Sequence, residues 1–187
     1  MRKSFKLVFL LLVHFVAAPI LAAEISLAQL SLTDYNGKPF AHNSLKGHPI
    51  LLNFVFTGCS VSCSMQTSSL SKIRRALPVD VISRIKFVTV SLDSMADTPS
   101  VLKQYAIKHD AFDPGWWFLH AEPPALAKLL RQVEGSRADA TQKNTATHSG
   151  ILYLISADGS LIQRYMGFPP NENRLNRELT QLARTQK

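Results

Sequence analysis

The sequence predicts an α/β domain built on a mixed central sheet, and three observations point there. Residues 50–56, Ile-Leu-Leu-Asn-Phe-Val-Phe, form a nearly continuous apolar run that suits a strand buried on both faces. Helical and strand-like segments alternate after it. Near the C-terminus, residues 151–155 and 161–166 flank Asp158-Gly159 as an antiparallel hairpin, ahead of a last helix. At 187 residues the chain suffices for one domain with a substantial core. An apolar fraction of 46% excludes wholesale disorder.

Taken in order, Asn36-Gly37 between Leu30-Ser31-Leu32 and Phe40 signals an N-terminal β-hairpin. A polar turn at Lys46-Gly47 leads into the buried strand, and Gly58 is expected to let the chain turn sharply out of it. Leu70, Ile73 and Leu77 recur at helical spacing until Pro78 ends the helix. Residues 85–92 are rich in β-branched and apolar side chains and read as the next strand. Asp93 to Asp97 is a polar loop, and Thr98-Pro99 is a cap and first turn for a helix running toward Lys108. Trp116 to His120 is a short strand, followed by an inserted helix opening at Pro123-Pro124 and carrying Leu126, Leu129, Leu130 and Val133. Residues 135–147 are polar and aperiodic and predict a surface loop ending at His148. Leu175, Leu179 and Leu182 mark the closing helix. A βαβ unit followed by ββα is the thioredoxin arrangement, here with the extra N-terminal hairpin and the inserted helix.

The first 23 residues read as an export signal. Arg2, Lys3 and Lys6 form a positive start, residues 7–18 an apolar stretch, and Leu21-Ala22-Ala23 a small-residue cleavage site. An uncleaved anchor is the alternative, although the uncharged run is short for a span of about 20 residues. The folded part, residues 24–187, is therefore expected in the periplasm, touching the membrane only through that segment if it stays attached. Without those three cations the formal charge falls from +8 to +5. The remaining charge is dispersed, without the basic, aromatic-interleaved tract of a nucleic-acid surface.

Cys59 and Cys63 are the only cysteines, and they follow the buried strand directly. At a helix N-terminus, unpaired N–H groups and the dipole favour thiolate over thiol. A four-residue separation on a helix turns about 40°, so both sulfurs can face one side. Such a pair can close a disulfide, exchange thiols with a partner, or grip one soft metal ion. Soft thiolates select Cu(I), with Zn as a competitor that wants a fourth strong ligand. In an exported protein the pair needs a reductant, a metal or a permanent bond. His148 ends the loop that, in a thioredoxin fold, faces the cysteine turn, and Thr147-His148-Ser149-Gly150 lacks the proline ordinary thioredoxins place there. A third ligand at His148 would favour a metal, and a solvated loop histidine is the bland alternative. His42, His48, His109 and His120 show no ligand spacing, Met65 reads as core filler, and Trp116 and Trp117 read as packing.

Three stretches in order, Phe54-Val55-Phe56-Thr57-Gly58-Cys59-Ser60-Val61-Ser62-Cys63, residues 90–99 and residues 148–155 followed by Asp158-Gly159, resemble the Sco/SenC family of copper proteins. The resemblance implies a thioredoxin-like protein, periplasmic or anchored to the inner membrane, that binds copper, as Cu(I) and also as Cu(II), through Cys59, Cys63 and His148. It implies a copper-receiving partner such as a cytochrome c oxidase subunit, whose binuclear centre such proteins help to metallate. It also places Asp93 near the site, as a carboxylate supporting the ligands or facing a partner. A loop-capping aspartate is the other reading of Asp93. The rival function is a thiol–disulfide reductase using the Cys59/Cys63 redox pair, kept reduced by a periplasmic thiol reductase. A thiol peroxidase and an inert disulfide-stapled binding domain fit less well. Residues 135–147 are expected to be mobile without metal and ordered with it.

Overall fold

A computed structural model describes residues 24–59, 61–134, 150–166 and 169–185. The strands are β1 (Leu32–Asp34), β2 (Ile50–Val55), β3 (Lys86–Ser91), β4 (Trp116–Ala121), β5 (Leu152–Ile155) and β6 (Leu161–Tyr165). The helices are α1 (Ser62–Ala76), the short α2 (Val79–Ile82), α3 (Pro99–Lys108), α4 (Pro123–Glu134) and α5 (Glu172–Thr185). The strands make one sheet in the order β1-β4-β3-β2-β5-β6. Strands β2, β3 and β4 run parallel, while β5, β6 and β1 each pair antiparallel with their neighbours. β3-β2-β5-β6 with α1 and α5 is the thioredoxin-like core. The insertion is larger than one helix, because α3, β4 and α4 together add a further parallel strand beside β3.

Every residue of β2 is buried, as its apolar run requires. Alternation sends Leu51 into the core under α1, α3 and α5, with Leu70, Ile73, Leu102, Leu175 and Leu179. Leu52 and Phe54 enter the opposite core, formed with Leu129 and Val133 of α4 and with Leu27, Leu30 and Leu45 of the N-terminal segment. Each such side chain contributes about 1.5–3 kcal/mol when fully buried. Thr98 accepts the Val101 N–H and Pro99 occupies the first turn of α3, the start predicted for it.

The N-terminal reversal is present at Asn36-Gly37, with Gly37 at φ +76° and the Asp34 N–H bonded to the Lys38 carbonyl at 2.8 Å. Its return arm is a single bridge, Thr33 to Pro39, with the Phe40 N–H on the Leu32 carbonyl at 2.9 Å beyond it; β1 pairs along its length with β4. At the β5–β6 turn Gly159 lies at φ +88°, and its carbonyl accepts the Ile25 N–H at 2.9 Å, tying the N-terminal segment to the hairpin. Among the described residues no helix is long and apolar enough to cross a membrane.

Candidate metal centre

β2 delivers the chain to a turn at the C-terminal end of the parallel strands. The Cys59 N–H closes this turn on the Phe56 carbonyl at 3.1 Å. Thr57 is held from below by Asp97, which is fully buried. The Thr57 N–H reaches both carboxylate oxygens, at 3.2 and 3.1 Å, and the Thr57 hydroxyl donates at 2.5 Å. The Ser91 hydroxyl, at the end of β3, donates to the same carboxylate at 2.6 Å.

α1 begins at Ser62, so Cys63 lies in its first turn and Cys59 lies before it. The two cysteines therefore do not share a helix face through a regular repeat. Their side chains meet because the turn brings Cys59 over the start of the helix. The Cys63 N–H donates to Cys59 Sγ at 3.4 Å, and the Ser62 hydroxyl lies 3.0 Å from the same sulfur. Both residues are thiols, Cys63 fully buried and Cys59 partly exposed. Burial pushes the Cys59 thiol up. Hydrogen bonds from the Ser62 hydroxyl, the Cys63 N–H and thiol and the Val61 N–H outweigh it, bringing Cys59 from 9.0 down to about 7. Near neutrality a substantial share of Cys59 is thus thiolate, the form that binds metal and attacks disulfides.

Under the helix, Asn53 of β2 donates to Gln66 at 3.1 Å and accepts from Thr89 at 2.7 Å, while the Trp116 indole donates to Thr89 at 2.9 Å. This network seats the first two turns of α1 on the sheet. The Tyr105 hydroxyl bonds Thr67 at 3.1 Å. Burial chiefly, against the opposing Thr67 bond and together with the charges of Cys63 and Cys59, pushes Tyr105 up to about 12 and keeps it neutral.

Several expectations change here. Gly58 is not in the left-handed region, and a Cβ there would meet only the Phe56 ring at 3.7 Å, so the turn does not demand glycine. Met65 is 49% exposed on α1 rather than filling the core, because its position on the helix faces away from the sheet. Asp93 is a loop cap: its carboxylate accepts the Met95 and Ala96 N–H groups at 3.1 and 3.0 Å. Trp116 is buried, and Trp117 packs on Phe40 with ring centres 5.7 Å apart. His48 bonds the Arg84 carbonyl, His109 lies against Tyr105 and Ser68, and His120 sits between the Asp97 carbonyl and Glu122. His148, residues 135–147 and the N-terminal segment 1–23 lie outside the described residues. Among the described residues no group of three or more Cys, His, Asp or Glu side chains could hold a metal ion. The soft donors present are the two thiols, a set that fits Cu(I), which accepts two or three ligands.

Asp97 is the site residue that sequence reasoning missed. Its only local signal is a carboxylate directly before the Thr98-Pro99 helix start, after a strand leading out of the sheet.

The sequence profile of the SCO1/SenC family matches residues 21–184. The chain belongs to the SCO1/SenC family. A Stutzerimonas stutzeri protein described as a candidate copper-binding protein is 31% identical over 145 residues, 76% of this chain and 70% of that one. The SCO1 protein homolog of Bacillus subtilis is 25% identical over 134 residues, 71% of this chain and 69% of that protein. Among solved structures, BsSco, described as a Sco-family cytochrome c oxidase assembly protein with a disulfide switch, superposes with a TM-score of 0.71 at 22% identity. That match covers 89% of this SCO1/SenC chain and 96% of BsSco. Copper-bound ScoI of Bradyrhizobium japonicum gives a TM-score of 0.62 at 25% identity, covering 82% and 96%.

Proposed function

We propose that this SCO1/SenC protein is an exported copper carrier that binds the ion through Cys59, Cys63 and His148. It would pass copper to the binuclear centre of cytochrome c oxidase or to another copper protein. The observation that carries the reading is the Cys59 sulfur, acidified to about 7 and bonded by the N–H of Cys63 at the end of β2. It places one ready thiolate beside a second, buried sulfur, a soft donor pair suited to a monovalent ion. The family membership, the Stutzerimonas stutzeri relative and copper-bound ScoI support the same choice of metal. In this reading residues 1–23 direct export and residues 24–187 fold in the periplasm. The test is an anaerobic Cu(I) titration of the reduced protein against a calibrated chelator, beside His148→Ala. One-to-one binding that weakens by roughly tenfold or more in the variant is the expected outcome. Binding indifferent to His148 would remove it from the ligand set.

The same acidity favours a second reading, a thiol–disulfide reductase, since an attacking thiol works best with a pKa near ambient pH. The Cys59 thiolate would attack a partner disulfide, and Cys63 would resolve the mixed disulfide. The partner leaves as a dithiol, and a Cys59–Cys63 disulfide remains for an external thiol reductant to reopen. This activity needs both cysteines and not His148, so His148→Ala separates the two functions.

A further inference from the structure

We propose that Asp97 is the positioning residue of the cysteine pair: its buried carboxylate holds the Thr57–Cys59 turn in the one arrangement that sets both sulfurs side by side. Three features carry this. Asp97 is fully buried, and its side-chain partners named above are Thr57, two residues before Cys59, and Ser91, at the end of the adjacent strand. The carboxylate therefore joins the end of β3 to the turn leaving β2, and the turn cannot shift without breaking bonds to a buried charge. Its own backbone is fixed in turn, with its N–H on the Asp93 carbonyl at 2.9 Å and its carbonyl 3.1 Å from His120 Nδ1. Asp93 thus acts one step further out, shaping the loop that presents Asp97.

The grip acts on the site rather than on the core, because what it immobilises is a surface turn. Cys63 is placed by α1, which the Asn53–Gln66 bond seats on the sheet. Cys59 precedes the helix: the Ser64 hydroxyl of α1 reaches its carbonyl at 3.5 Å, and the turn that carries it is tied to the loop after β3 through the Thr57–Asp97 contact. Releasing Thr57 leaves Cys59 held by its bonds to Ser62, Cys63 and Ser64 at the start of α1, and any process needing both sulfurs at once then loses effective concentration.

This inference rests on the copper reading for one of its two readouts, and the second readout is independent of copper. Asp97→Asn keeps the shape but turns one acceptor oxygen into an amide donor. The Thr57 backbone N–H reaches both oxygens, so either orientation of the amide sets its NH2 against that N–H. Thr57→Val removes the hydroxyl bond alone, leaving the backbone and Ser91 contacts to hold the fold. Both variants are compared with the wild-type protein by Cu(I) competition and by equilibration with glutathione. In the glutathione experiment, closing Cys59–Cys63 releases two protons and two electrons and reduces one glutathione disulfide to two glutathiones.

Asp97→Asn should weaken Cu(I) binding by roughly tenfold or more, as loss of a supporting partner does at other metal sites. It should make the disulfide roughly tenfold easier to reduce, a shift of about 30 mV. Thr57→Val should move both readouts the same way by less, and it carries the test alone if Asp97→Asn does not fold. Wild-type Cu(I) affinity and wild-type potential in the folded variants would overturn the proposal. If the wild-type protein itself fails to hold Cu(I) while the potential still shifts, the copper reading falls and the positioning role of Asp97 stands.

Discussion

Two polar clusters are buried one step apart on the same face of the sheet, and they differ in what they hold. Along β3, Thr89 and Ser91 are successive residues of that face. Thr89 belongs to the neutral cluster with Asn53, Gln66 and Trp116, set mid-sheet beneath α1. Ser91 belongs to the charged cluster with Asp97 and Thr57, set where β2 and β3 run out. The inner cluster joins elements that are packed on all sides, so its bonds contribute to global stability. The outer cluster joins a strand end to a turn that carries a reactive thiol, so its bonds contribute to local geometry. Polar burial at one depth serves folding; one layer higher it serves chemistry.

The largest effect that could break this division is expected at Asn53. Asn53→Ala should cost about 3 kcal/mol in urea unfolding, since Gln66 and Thr89 would each lose a buried partner. The pH midpoint of Cys59 alkylation should stay at about 7 in that variant. Movement of both quantities together would mean that the clusters act as one unit. Trp116→Phe, which deletes the indole bond to Thr89, should cost about 1.5 kcal/mol with the same indifference of Cys59.

Ser62→Ala should do the reverse. It removes a bond that favours the Cys59 thiolate, so the alkylation midpoint should rise from about 7 toward the ordinary thiol value, while stability changes by less than about 0.5 kcal/mol. An unmoved midpoint would show that the N–H groups of Val61 and Cys63 suffice. The wild-type linkage has a defined sign. Because folding lowers the Cys59 pKa, the folded protein binds fewer protons than the unfolded chain between about pH 7 and 9. This contribution to stability is fully present above the unfolded value and is lost as pH falls through about 7. Unfolding midpoints measured across that window should rise with pH in the wild type and flatten in Cys59→Ser. The smallest effect is expected at Met65, where the exposed side chain makes Met65→Leu neutral within about 0.5 kcal/mol by thermal melting.

Much of the frame was legible in the chain itself. The run from Ile50 announced a doubly buried strand, Pro78 and Thr98-Pro99 punctuated the helices, and Asp158-Gly159 marked the last hairpin, because these signals are local. The cysteine pair was legible for the same reason, as two like residues four apart after a strand. The route by which the sulfurs meet was not. Spacing suggested a shared helix face, whereas helix α1 starts too late to include Cys59. Likewise Met65 reads as core from composition, yet only its azimuth on α1 decides its exposure.

Residue order alone determined the α/β class, the central strand, the thiol pair and the family pattern, since periodicity, turn residues and short spacings are properties of neighbours along the chain. The tertiary structure decided which aspartate serves the site. Asp93 and Asp97 are equivalent in composition and lie in one loop, but Asp97 meets Thr57 across 40 residues of sequence. A contact of that separation has no period and no motif. It exists because parallel pairing of β2 with β3 brings the two strand ends side by side, about 4.8 Å apart, where a buried carboxylate can join them.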